Sequence, residues 1–180
     1  MSMIAANTTQ GHLPGLYAGG VPQSADVNRS GRVLVFTLRC LPTAQQRPRH
    51  MTTPDGFHRT YKSDVQEANE RALEALLCPH KPSSPMNGGL ELSFRAIYPA
   101  PKSCSKKERA DMLRGAVCHT VKPDLDNLAK QIKDAMTRLQ FWHDDRQVVR
   151  LICEKRYGEY PAWEVSVRRI GQGRGKHGAS

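Results

Sequence analysis

Residues 122–150 read KPDLDNLAKQIKDAMTRLQFWHDDRQVVR, and the reading of this stretch decides the fold. Leu125, Leu128, Ile132, Ala135, Met136 and Leu139 recur at three- and four-residue steps, which predicts a helix with one buried face, ending near Gln140. Pro123 suits the position just before or at the helix start, where no backbone N–H is needed. Asp124 or Asp126 can then cap the helix or sit in its first turn. Asp126, Lys130, Lys133 and Thr137 fall on a neighbouring face, towards solvent or a cleft. From Arg146 to Lys155 the β-prone Val148, Val149, Leu151, Ile152 and Cys153 predict a strand.

Four aspartates therefore bracket the helix: Asp124 and Asp126 before it, Asp144 and Asp145 after it. Buried or half-buried carboxylates repel one another and lose hydration, and a hard divalent cation removes both penalties. Mg²⁺ takes oxygen ligands, and a metal-bound hydroxide suits phosphodiester hydrolysis. Asp145 joins such a site only if the fold brings the start of the following strand back to the helix head. Lys130 is placed to stabilise charge on a phosphate. A D-x-D before a helix is often only a cap and a D-D after one often only a solvated turn; spacing alone favours that reading and does not decide the matter.

Residue identities add to spacing. P-D-L-D-N-L-x-K, then D-A, then W-x-D-D-x-Q-V-V, resembles the central signature of the RusA-type Holliday junction resolvases, many of them carried by phages and prophages. The resemblance implies that Asp124, Asp126 and Asp145 are catalytic, metal-binding acids. It makes Asp144 a further candidate ligand and Lys130 the required lysine. Asp134 also matches a recurrent acid, and an ion pair or a place on the helix face is its expected role.

The chain has 180 residues and a formal net charge of +10, which suits one domain with tails and a polyanionic partner. A basic surface around an acidic metal site favours nucleic acid as substrate. The five cysteines are odd in number and form no C-x-x-C pair, and the sequence carries no secretory signal or long apolar segment. Reduced thiols in a cytoplasmic protein of bacterial, phage or prophage origin, with no membrane association, are expected. Cys78, His80, Cys104, Cys118 and His119 form an alternative zinc set, but their spacing is irregular.

Working outward, residues 1–31 read as a disordered leader of Gly, Ser, Asn, Thr and Pro. The domain spans residues 32–170. Its first strand, about Val33–Leu38, is apolar on both faces and is expected at the sheet centre. A polar loop or hairpin follows, with Arg47-Pro48-Arg49 and then Arg59-Thr60-Tyr61 matching segments of the resembled family; Arg47 and Arg49 are candidate phosphate contacts. Tyr61–Leu77 is read as a helix capped by Ser63, its apolar stripe running from Val65 to Leu77. Leu90–Tyr98 alternates as a strand with one buried face.

Residues 99–120 form a basic flap before the D-x-D, with a capping-box helix at Ser105–Arg114. Lys106, Lys107 and, beside the acids, Lys122 are candidate DNA contacts. Phe141 and Trp142 either pack in the core or an interface, or wedge a DNA junction. Ala162–Arg169 is a last strand after a turn of Gly158, Tyr160 and Pro161, and residues 171–180 are a Gly-rich basic tail.

The expected fold is α+β: a single domain with a mixed β-sheet and two main helices packed on it, similar to RusA. The resemblance implies a homodimer that cuts branched DNA, a four-way junction, by paired symmetrical nicks with Mg²⁺ or Mn²⁺. A nuclease for flaps or forks, and a non-catalytic junction-binding protein, are the alternatives.

Overall fold

The computed structural model describes residues 33–44, 49–52, 58–61 and 63–172. In chain order it forms β1 (Val33–Leu38), β2 (Arg49–Thr52), β3 (His58–Tyr61), α1 (Asp64–Leu77), β4 (Gly89–Pro99), α2 (Lys106–Leu113), α3 (Leu125–Arg138), β5 (Val148–Gly158) and β6 (Ala162–Gly171). Four strands make a mixed sheet in the order β1-β6-β4-β5. The β4–β5 pair is parallel, while β6 runs antiparallel to both β1 and β4. A separate antiparallel hairpin joins β2 to β3, with Arg49 opposite Tyr61. The fold is a single α+β domain, as expected, with a short third helix in α2. The leader (residues 1–31), Arg47 and residues 173–180 lie outside the described residues.

The parallel β4–β5 pair needs a crossover, and α3 supplies it by packing back on the sheet. Its Leu128, Ile132, Ala135 and Met136 are buried against Leu92, Phe94, Val165 and Val167, and α1 adds Leu73 and Leu77 to the same core. Each of the Leu, Ile, Val, Phe and Met side chains among them contributes about 1.5–3 kcal/mol when fully buried. Phe141 and Trp142 are fully buried, and the Trp142 Nε1–H donates to Thr137 Oγ1 at 2.7 Å. The core reading of this pair therefore holds, and neither ring is available as a DNA wedge.

Several boundaries and positions differ from expectation. The strand β1 is an edge, not the centre: it pairs in this sheet with β6 alone, and Val33, Val35 and Thr37 on one of its faces are only half-buried. The helix α1 starts at Asp64; Tyr61 belongs to β3, and Ser63 Oγ caps by accepting from Gln66 N. Its buried face opens with Gln66 and Glu70, hydrogen-bonded at 2.9 Å, and Val65 is exposed. A 3-10 turn, Asp145–Gln147, precedes β5, so the strand begins at Val148 and runs on to Gly158. The interior strands are β6 and β4, and both faces of β4 are largely buried.

On the face of β4 away from the helices, Glu91 is 2% exposed and accepts from Arg168 and Arg150. Arg95 on the same face pairs with Glu154 and Glu164. The guanidinium of Arg168 holds the Glu91 carboxyl below its ordinary range against the opposing effect of burial, with Arg150 adding to it. The chain passes from β5 to β6 across the end of β4 at Gly158. A Cβ there would lie 2.4 Å from Ile97 Cγ2, so only glycine fits this approach.

Candidate active site

Local chemistry sets the head of α3. Asp124 occupies the N-cap position with extended backbone, yet its side chain makes no capping hydrogen bond. Asp126 lies in the first turn, where a carboxylate is favoured by the helix dipole. Both acids, and Lys130 one turn on, are exposed. The capping reading of Asp124 therefore fails at the level of the side chain. The desolvation argument for a cation fails as well, because these carboxylates stand in water.

The loop that delivers Asp124 is held from the sheet. Lys155 on β5 donates to Val121 O and Pro123 O, each at 2.8 Å, on either side of Lys122. Upstream, His119 is buried between Tyr98, stacked at 4.3 Å, and Tyr157 at 4.8 Å. Burial, with the nearby Lys155 charge, lowers the His119 pKa, which keeps a neutral ring between the two tyrosines. Tyr98, whose hydroxyl pKa burial raises, donates to Pro42 O at 3.0 Å.

The second acid pair divides its labour. Asp144 caps the 3-10 turn: its Oδ1 accepts from Arg146 N at 3.0 Å and its Oδ2 pairs with Arg146 Nε at 3.2 Å. Asp145 turns instead to α3, where its Oδ2 lies 3.1 Å from Lys133 Nζ. Gln147 fixes the whole turn. Its Oε1 accepts from the backbone N–H groups of His143 (2.9 Å) and Asp144 (3.1 Å), while its Nε2 donates to Met86 O (3.0 Å) and Gly88 O (3.3 Å).

The fold thus brings Asp145 back to the helix that carries Asp124, Asp126 and Lys130. Asp134 is half-buried on α3 and has no ion pair among the described residues, so its place is on the helix face. Lys122, Lys106 and Lys107 are exposed, the last two on α2, whose capping box at Ser105 and Glu108 forms as expected. Arg49 begins β2. Sequence reading missed Lys155, and the tie from Gln147 to Met86 and Gly88, because these act on backbone groups far away in the chain; the tie from Gln147 to His143 and Asp144 is local.

Three aspartate carboxylates are an apt oxygen donor set for Mg²⁺ or Mn²⁺. Among the described residues, however, no three His, Cys, Asp or Glu side chains are gathered closely enough to hold a metal ion. The acids of the α3 head and of the following turn therefore stand ungathered.

A mixed sheet with an acid-headed crossover helix, and an acidic turn folded back onto it, is an architecture suited to phosphodiester chemistry. Residues 40–168 match the family model described as endodeoxyribonuclease RusA. The chain belongs to the RusA family of endodeoxyribonucleases. It is 34% identical over 140 residues to the uncharacterized protein YqaN of Bacillus subtilis (strain 168), covering 75% of this chain and 95% of that one. It is 31% identical over 137 residues to a crossover junction endodeoxyribonuclease, rusA, of Lactococcus phage r1t, with the same two shares covered.

Proposed function

We propose that this chain is a divalent-metal-dependent nuclease that resolves four-way DNA junctions as a homodimer. One observation carries the reading: Asp124, Asp126 and Lys130 line the exposed head of α3, and Asp145, 19 residues beyond Asp126 in sequence, is tied to that same helix. Family membership supports the nuclease class, and the phage relative's name supports the junction substrate. Asp124, Asp126 and Asp145 are the acids of the reaction. Lys130 holds the scissile phosphate and stabilises its developing charge. Lys122 beside Asp124, Lys106 and Lys107 on α2, Arg49 at the start of β2, and Arg47 contact the DNA backbone. Two copies related by a two-fold axis would present two sites to matching strands, which accounts for paired nicks.

The test is a panel of synthetic DNAs sharing one sequence: a mobile four-way junction, a flap, a fork and a linear duplex, each with Mg²⁺, with Mn²⁺ and with chelator. Symmetrical, ligatable nicks in the junction, absent under chelator, are the expected result. Faster cutting of the flap or fork would make the protein a different branched-DNA nuclease. Junction binding without cleavage under any divalent ion would make it a junction-binding protein.

A further inference from the structure

The chain between β4 and the head of α3 has one side chain sunk into the fold. From Pro101 to Lys122, a stretch that includes the whole of α2, His119 is the one buried residue. The helix α2 buries none of its own side chains. The His119 ring sits between Tyr98 of β4, stacked at 4.3 Å, and Tyr157 of β5, at 4.8 Å. Thr120, Val121 and Lys122 are exposed again, and Asp124 follows at the N-cap of α3.

This seat is poorly made for a second positive charge. His119 Nδ1 is buried and has no hydrogen-bond partner among the described residues. A proton there would be a buried N–H without an acceptor, on a cation taken out of water. The groups that face the ring are Tyr98 from β4 and Tyr157 and Lys155 from β5, and none of them is a carboxylate. The tyrosine faces attract a cation and offset part of the cost. The net balance is unfavourable: burial first, then the Lys155 charge, lowers the His119 pKa from its ordinary 6.5.

We propose that His119 is a positioning residue: as a neutral ring it seats the loop of Asp124 on the sheet, and proton uptake releases that loop. A released ring takes up a proton at its ordinary value, and the seated ring only below it. Release therefore gains on seating as pH falls from 6.5, by up to about tenfold per pH unit, until the seated ring itself titrates. Lys155 ties Val121 O and Pro123 O from outside the stack, so the loop has a second hold that carries no proton switch of its own in this range. The seating stands on the geometry alone. Its effect on cleavage rests on the reading of Asp124 as an acid of the reaction.

The experiment is ¹⁵N NMR of the full-length protein, without DNA or divalent ion, from pH 7.5 to pH 5.5, on wild type, His119→Phe and His119→Ala. It reads the titration of the His119 ring and the mobility of the Thr120, Val121 and Lys122 amides. In wild type the amides should become mobile as pH falls. His119→Phe keeps an aromatic stack and takes no proton, so its amides should stay fixed throughout. His119→Ala should be mobile at every pH; if it does not fold, the comparison with His119→Phe still decides. Fixed amides in wild type while the ring titrates would overturn the proposal. So would equal acid mobility in wild type and His119→Phe, or fixed amides in a folded His119→Ala. In junction cleavage, kcat of wild type should fall below pH 6.5 by up to about tenfold per pH unit, and His119→Phe should lack that fall. Loop release without a difference in kcat would leave the seating by His119 standing and remove the loop of Asp124 from the reaction.

Discussion

At the scale of single residues, the acids depend on two side chains that carry no acid, Lys155 and Gln147. Lys155 holds the loop of Asp124 by two carbonyls, and Gln147 holds the turn of Asp145 by four backbone groups. Hydrogen bonds from a charged donor are worth more than neutral ones, so Lys155→Met should lower stability by about 1–2 kcal/mol. Because a small misplacement of a reacting group is costly, kcat on the junction should fall about tenfold with KM nearly unchanged. Steady-state kinetics and urea unfolding check both, and a loss of stability with full kcat would reduce Lys155 to a structural role. Gln147→Ala should likewise depress kcat more than junction affinity, read from cleavage and gel-shift titrations side by side. The places of Asp124 and Asp126 at the head of α3 were legible in the sequence, since they follow from its apolar spacing. Their supports were not, because Lys155 and Val121 are 34 residues apart and meet only through the sheet.

At the scale of elements, what was legible had local causes. The helix α3 follows from its apolar spacing, and α2 follows from the Ser105–Glu108 capping box, both of whose hydrogen bonds form. Strand position was less legible. Alternation in β4 reads as one buried face, yet Glu91 and Ser93 on the other face are also buried. What buries Glu91 is Arg150 and Arg168, 59 and 77 residues away, and no local pattern announces them. The apolar β1, conversely, reads as central but lies at the edge.

This cluster carries a pH prediction. The folded Glu91 has a lowered pKa, so its contribution to stability is complete above the unfolded value of 4.5 and is lost as pH falls through the folded value. Unfolding free energy measured from pH 6 down to pH 3 should drop across the lower part of that range. Glu91→Gln should flatten the drop and cost about 2 kcal/mol at neutral pH, by leaving two arginines without their shared carboxylate.

At the scale of the whole molecule, the proposed function makes charge and two-fold symmetry the terms of the encounter with DNA. A net charge of +10 predicts junction affinity that falls steeply with salt, with a log–log slope that shrinks by roughly one for each phosphate-contacting lysine removed. Lys106→Ala with Lys107→Ala, assayed by gel shift between low and physiological salt, reads that number. An unchanged slope would remove α2 from the interface. The proposed homodimer predicts twice the chain mass by light scattering at micromolar concentration. The most direct measurement compares wild type with Asp126→Asn on one mobile four-way junction, scoring binding and cleavage in the same reactions. Full binding by the variant with cleavage reduced by several orders of magnitude is the predicted result. Cleavage at the wild-type rate by Asp126→Asn would contradict it and remove the acids of the α3 head from the chemistry.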